Sequence, residues 1–140
     1  LNYILNDKND KCEKQNIAFT CMVLGQVGLI DDIDMCILAG NVIDNAIEAA
    51  AKCSDPYVNV EITSRGGIFM DEENPVKETF LNRKNPFLTT KLDKNNHGIG
   101  TKSIRDIVAK YNGEIRYEEK DGKVTCHIFL STKYVKKDKE

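Results

Sequence analysis

Tryptophan is absent from the 140 residues and histidine occurs only twice, so few side chains are on hand that titrate near neutral pH. No C-x-x-C pair occurs among the five cysteines, Cys12, Cys21, Cys36, Cys53 and Cys126. An odd, scattered set argues against a structural zinc site or a secreted disulfide framework and suits a reducing compartment. No apolar run approaches the ~20 residues that a membrane-spanning helix needs. An excess of either charge is also missing: 20 Lys and Arg face 22 Asp and Glu, a formal net charge of −2. Nonspecific attraction to nucleic acid or to an anionic membrane therefore has no electrostatic basis. What remains, 41% hydrophobic and 30% charged residues, is the composition of one soluble globular domain with a single core. The chain opens at Leu1 with no initiator methionine and no signal peptide, and is expected to be a piece of a longer protein.

Residues 1–15 are polar, with weak apolar spacing at Leu1, Ile4 and Leu5, and suggest the end of a helix followed by a charged connector. Alternation of Ile17, Phe19 and Cys21 predicts a strand over 16–24. A helix is expected from Asp31 to about Lys52. Asp31, Asp32 and Asp34 suit the positive end of its dipole, and Pro56 lies beyond its end. Val58, Val60 and Ile62 alternate in a strand over 57–63. Gly66-Gly67 then turns the chain into a second strand, from 68 to about 71. Residues 74–97 show no sustained period, and a loop of that length inside a domain points to a functional lid. Ile104, Ile107, Val108 and Tyr111 predict a helix from Gly98 to Tyr111, stopped by Asn112-Gly113. Two further strands, 114–119 and 123–130, are joined by Lys120-Asp121-Gly122, and the tail is charged. The order β-α-β-β-lid-α-β-β implies an α+β two-layer sandwich with a mostly antiparallel sheet.

Two groups of residues could carry chemistry. On the first helix, Asn41, Asn45 and Glu48 fall along one stripe with Asp44 beside it. Amide and carboxylate oxygens are hard ligands suited to Mg²⁺, although a solvated polar face explains the same pattern. Asn is a poor helix former, so two of them inside a helix call for a reason. The second group is His97-Gly98-Ile99-Gly100-Thr101-Lys102, expected directly before a helix. Glycine amides and a helix N-terminus together favour a phosphate, with Lys91 and Lys102 as added point charges; the simpler alternative is a lid hinge.

LAGNVIDNAIEAA (residues 38–50) resembles the N-box of the ATPase superfamily that joins gyrase, a heat-shock chaperone, histidine kinases and MutL, the GHKL group. NHGIGTKSIRDIVAKYNGEI (residues 96–115) resembles its second glycine box. Thr89-Thr90-Lys91 further resembles the segment that precedes this box in sensor histidine kinases of the AgrC and citrate-sensor type. The resemblance implies a Bergerat-type ATP-binding fold, with a mixed, mostly antiparallel sheet covered by helices on one face. It also implies ATP and Mg²⁺ as ligands. Asn45 matches the Mg²⁺-binding Asn, and Asn41 the Asn four residues earlier. Gly98 and Gly100, with Ile99, Thr101 and Lys102 around them, match the triphosphate-holding box that His97 opens. Thr90 and Lys91 match the T-T-K segment, and residues 75–97 the mobile lid. By the same comparison, residues 16–132 form the catalytic domain, 1–15 the end of an upstream dimerisation helix, and 133–140 a charged tail.

The D-x-G-x-G box whose Asp reads adenine in most relatives is missing. Asn74 is the expected base reader, with Glu73 as a substitute. Gyrase-like hydrolases carry a general-base Glu where this chain has Asn41, and an amide cannot accept a proton at neutral pH. Phosphoryl transfer to a protein histidine is thus expected over ATP hydrolysis, with Asn41, Asn45 and Lys91 in the catalytic site. The acceptor would lie on an upstream dimerisation domain, because His97 opens the box and His127 alternates within a strand. A response regulator, a homodimeric parent and a membrane-anchored sensor with this domain in the cytosol are implied, with no nucleic acid and no membrane contact by the chain itself. Two alternatives stay open: a degenerate nucleotide-binding module without transfer, and an anti-sigma-type protein serine kinase.

Overall fold

Alternation along the sequence becomes alternation across a sheet. The computed structural model describes residues 1–77 and 94–133, with the backbone alone over 94–99. Its strands are β1 (Ala18–Leu24), β2 (Tyr57–Ser64), β3 (Ile68–Pro75), β4 (Glu114–Lys120) and β5 (Lys123–Leu130). They form one sheet in the order β1-β2-β3-β5-β4, in which β1 runs parallel to β2 and every other pairing is antiparallel. The helices among the described residues are α1 (Asn2–Lys14), α2 (Asp32–Ala50) and α3 (Lys94–Lys110). The α+β sandwich expected from the element order is the observed fold.

Period-2 patterning places Val58, Val60 and Ile62 of β2, Ile68 and Met70 of β3, and Cys126, Ile128 and Leu130 of β5 on the inner face. There they join one core with Leu38, Ile43, Ala46 and Ile47 of α2 and Ile104, Ile107 and Val108 of α3. The other face is half exposed: Phe69 and Phe129 pair there with ring centroids 5.0 Å apart.

Helix α2 starts where the acidic cluster predicts. The Asp31 side chain accepts from the Ile33 amide at 2.9 Å and the Asp34 amide at 3.2 Å, satisfying two of the free donors at the helix start. At the end of α3, Asn112 supplies the left-handed turn at φ 50°. Gly113 has a different task. A β-carbon there would sit 1.9 Å from the Phe129 carbonyl oxygen, so glycine lets α3 return directly onto β5.

Three expectations shift. The helix expected early in residues 1–15 runs on to Lys14, through the stretch expected as a connector: Leu5 and Cys12 are buried, and α1 packs on α2 and β1. Strand β3 continues to Pro75, paired with β5, although apolar alternation stops at Met70. Helix α3 begins at Lys94 instead of Gly98, so the glycine box lies inside a helix and not before one. Of the expected lid, residues 78–93 lie outside the described residues, and so does the tail from 134 onward.

Candidate functional site

Helix α2 presents two polar edges beside its buried face. On the edge toward α1, a β-carbon on Gly40 would lie 3.5 Å from Ile4. Asp44 on that edge accepts from Lys8 at 2.9 Å and Lys11 at 3.2 Å. Asp44, expected beside the stripe of Asn41 and Asn45, is therefore held by α1.

On the other edge Asn41 meets α3. Its Oδ1 lies 3.2 Å from where a β-carbon on Gly100 would be, so the missing side chain lets the amide approach the helix backbone. Asn45, one turn further along α2, is half-buried on the same stripe. Neither amide makes a hydrogen bond to another described residue. The two boxes picked out in the sequence are thus joined at Asn41 and Gly100.

Strand β3 supplies a third wall. Asn74 is buried on the inner face, and its Nδ2 donates to the Pro75 carbonyl at 2.9 Å. That bond leaves Oδ1 to act as an acceptor. Glu73 points to the opposite face, where it accepts from Tyr57 Oη at 2.7 Å, so it cannot stand in for Asn74. Burial, followed by this bond to Glu73, raises the Tyr57 hydroxyl well above its ordinary value.

Glu72, which sequence reasoning missed, is buried on the same face as Asn74 at 3% exposure, and its Oε2 has no hydrogen-bond partner. Burial first, and then the nearby Glu73 charge, push its carboxyl well above the usual carboxylate range. Nothing in the run Asp71-Glu72-Glu73-Asn74 marked one of its acids as buried, because the strand's polar residues hide its period.

Within the glycine box, Thr101 is buried and its hydroxyl has no hydrogen-bond partner. Lys102 is exposed and bonds Asp106 one turn away at 2.8 Å, so its expected role as a phosphate charge gains no support. His97, Gly98 and Ile99 belong to α3 by backbone. Thr90 and Lys91 lie outside the described residues.

The far ends of α2 and α3 are clasped together. Asp34 accepts from Tyr111 Oη at 2.5 Å and from Lys110 at 2.8 Å, while the Asp31 amide donates to Tyr111 Oη at 3.3 Å. Burial would raise the Asp34 carboxyl, but the bonds from Lys110 and Tyr111 outweigh it and hold the group below its ordinary value. His127 is a sheet residue on the outer face, with Nδ1 2.6 Å from Asp71 and Nε2 2.8 Å from Glu118.

A helical layer on a mixed five-stranded sheet is the fold of solved histidine kinase catalytic domains. The catalytic domain of histidine kinase ThkA superposes with a TM-score of 0.67 at 21% identity, covering 96% of this chain and 95% of that one. The mycobacterial sensor histidine kinase MprB gives 0.65 at 17% identity, covering 92% of each chain. The histidine kinase domain of the Erythrobacter litoralis blue-light-activated kinase gives 0.69 at 14%, with 96% of this chain covering 62% of that one. No curated protein matches the chain. The GHKL domain family matches over residues 30–131, and the chain belongs to that family.

Proposed function

We propose that the chain is the ATP-binding catalytic domain of a two-component sensor histidine kinase of the AgrC and citrate-sensor branch. It would pass the γ-phosphoryl group of ATP to a histidine on a dimerisation domain outside this chain. The contact of Asn41 with Gly100 carries the reading, because it brings the N-box and the glycine box to one place. Membership of the GHKL family implies ATP binding. A full-length ShkA structure in complex with AMPPNP, similar in fold at a TM-score of 0.68 and 10% identity, is consistent with this ligand class.

The residues fit a magnesium ion. Asn45 offers a hard neutral oxygen that no other described residue occupies, and Mg²⁺ takes few protein ligands alongside phosphate oxygens and waters. Asn45 would hold the ion, which neutralises charge on the β- and γ-phosphates when bound. Asn74 Oδ1 would accept from the adenine amino group. The glycine box would meet the phosphates, with Thr101 nearest the buried side and Lys91 directed at the γ-phosphate.

Transfer is favoured over hydrolysis because Asn41 stands at the position where gyrase-like hydrolases carry a general-base Glu. Asn41 is an amide, and Asp44 is engaged by Lys8 and Lys11. In the transfer, the bond from the γ-phosphorus to the ADP oxygen breaks and a bond to an imidazole nitrogen forms, with loss of the ring proton. The partners of this reading are the histidine-bearing dimerisation domain and a response regulator, in a homodimeric, membrane-anchored parent. No described helix is long and apolar enough to cross a membrane.

A second reading, a regulatory module that binds nucleotide without transferring phosphate, draws support from α3. With the helix starting at Lys94, the Gly98 and Gly100 amides donate within it, leaving the Lys94 to Asn96 amides of the first turn as the free ones. Calorimetric titration with ATP, ADP and GTP, with and without Mg²⁺, tests binding. Adding a dimerisation helix that carries the acceptor histidine tests transfer. Mg²⁺-dependent ATP binding with labelling of the added helix is expected. Binding without labelling would select the module, and stoichiometric labelling of the chain by itself would overturn the assignment of an external acceptor.

A further inference from the structure

A carboxyl side chain withdrawn from water normally has a partner for each oxygen, because an unmet buried polar atom costs about 1–3 kcal/mol. Glu72 breaks this rule at Oε2. Its surroundings offer little remedy. Val60 lies opposite on β2 and Cys126 opposite on β5, and Tyr117 is the next residue across on β4. Tyr117 and Cys126 interact with each other, and burial raises both. Neither makes a bond to Glu72 Oε2.

The position of Glu72 is informative. It and Asn74 share the inner face, two residues apart on one strand, or about 7 Å along it. That gap is short enough for a base between them, or for one water molecule, to bridge. The two side chains differ in what they can offer. Asn74 has spent an N–H on the Pro75 carbonyl and keeps Oδ1 as an acceptor. Burial favours the protonated form of the Glu72 carboxyl, and that form carries one O–H donor, which a carboxylate lacks. An acceptor beside a donor is the complement of adenine's amino group beside its N1.

We propose that Glu72 is a second base-reading residue of this site, its carboxyl O–H satisfying adenine N1 directly or through one ordered water while Asn74 accepts from the amino group. The assignment rests on the nucleotide-binding reading above. It gives the unpartnered oxygen a partner that arrives with the ligand. It also replaces the missing carboxylate of the first glycine box with a neutral acid one strand rung deeper. A base with an oxo group at position 6 and a hydrogen on N1 would present the wrong pattern to both side chains.

Binding of ATP and of 1-deaza-ATP, whose N1 is a C–H, is measured for the wild-type chain, Glu72→Gln, and two apolar variants of different volume, Glu72→Met and Glu72→Val. The wild type is expected to bind ATP at least about tenfold more tightly than 1-deaza-ATP. Glu72→Gln, which keeps a donor, should retain that ratio. The apolar variants should bring it to within about threefold by weakening ATP alone. Equal affinities in the wild type overturn the proposal without any variant, as does an undiminished ratio in either apolar variant that folds. Failure of the wild type to bind either nucleotide would instead remove the nucleotide reading itself, and this assignment with it.

Discussion

The amide oxygen of Asn41 lies 3.2 Å from the point where a β-carbon on Gly100 would stand, so two segments far apart in sequence meet through an absent side chain. In a helix interior, glycine costs roughly 0.5–1 kcal/mol relative to alanine. Its presence at position 100 is thus an expense of stability at the place where Asn41 needs room.

Gly100→Ala should separate stability from binding. Helix propensity favours the alanine, while Asn41 must shift by a few tenths of an ångström to admit the methyl group. Thermal unfolding is expected to show no loss of stability, and titration a fall in ATP affinity of about tenfold or more. A parallel loss of both would mean that Gly100 serves packing alone.

Asn45→Ala removes a half-buried amide with no bond to another described residue, so the change in stability should stay within about 0.5 kcal/mol. Mg²⁺-dependent nucleotide binding should be abolished. Titration with and without Mg²⁺ checks this, and unchanged affinity would refute the metal assignment.

Glu72 should make the domain less stable as pH rises. Its folded-state value lies above the ordinary 4.5, so the folded chain holds a proton that the unfolded chain releases. Stability from this group is intact below about 4.5 and declines above it, as far as the raised folded value. Glu72→Gln should flatten that decline. Denaturant midpoints for both proteins across the range from pH 4 to 8 give the comparison, and parallel curves would contradict the buried-acid account.

The Asp34 clasp has the opposite sign. Its carboxyl is depressed in the fold, so its contribution is present above the ordinary value of 3.8 and is lost as pH falls through the lower folded value. Tyr111→Phe deletes the hydroxyl that donates to Asp34 and accepts from the Asp31 amide, and should cost about 1–2 kcal/mol at neutral pH. Urea unfolding measures it. Nucleotide affinity should change little, because the clasp lies at the end of α3 away from Asn41.

Much of the framework was legible from local signals. Val58, Val60 and Ile62 announce β2, the acidic residues at 31–34 announce the cap of α2, and Lys120-Asp121-Gly122 announces the last hairpin. The boxes around Asn41 and Asn45 and around Gly98 and Gly100 were legible as resemblances, since each is continuous in sequence. Legibility failed where the candidate site interrupts the pattern. Glu72 and Asn74 put polar groups on the inner face of β3, so the strand lost its apolar alternation and was expected to end at about Asp71. Helix α3 starts before glycines whose propensities argue against helix.

Local propensity and periodicity act over a few residues, and by themselves they determined the order of elements from β1 onward and the class of fold, while the two boxes were identified by resemblance. Only the folded chain could decide which acids are buried and which are paired. Asp44 is drawn to the lysines of α1, Glu73 turns outward to Tyr57, and Glu72 is closed off from water. Three acidic side chains that look interchangeable in a sequence become different chemical groups because burial and partners are set by packing between distant segments.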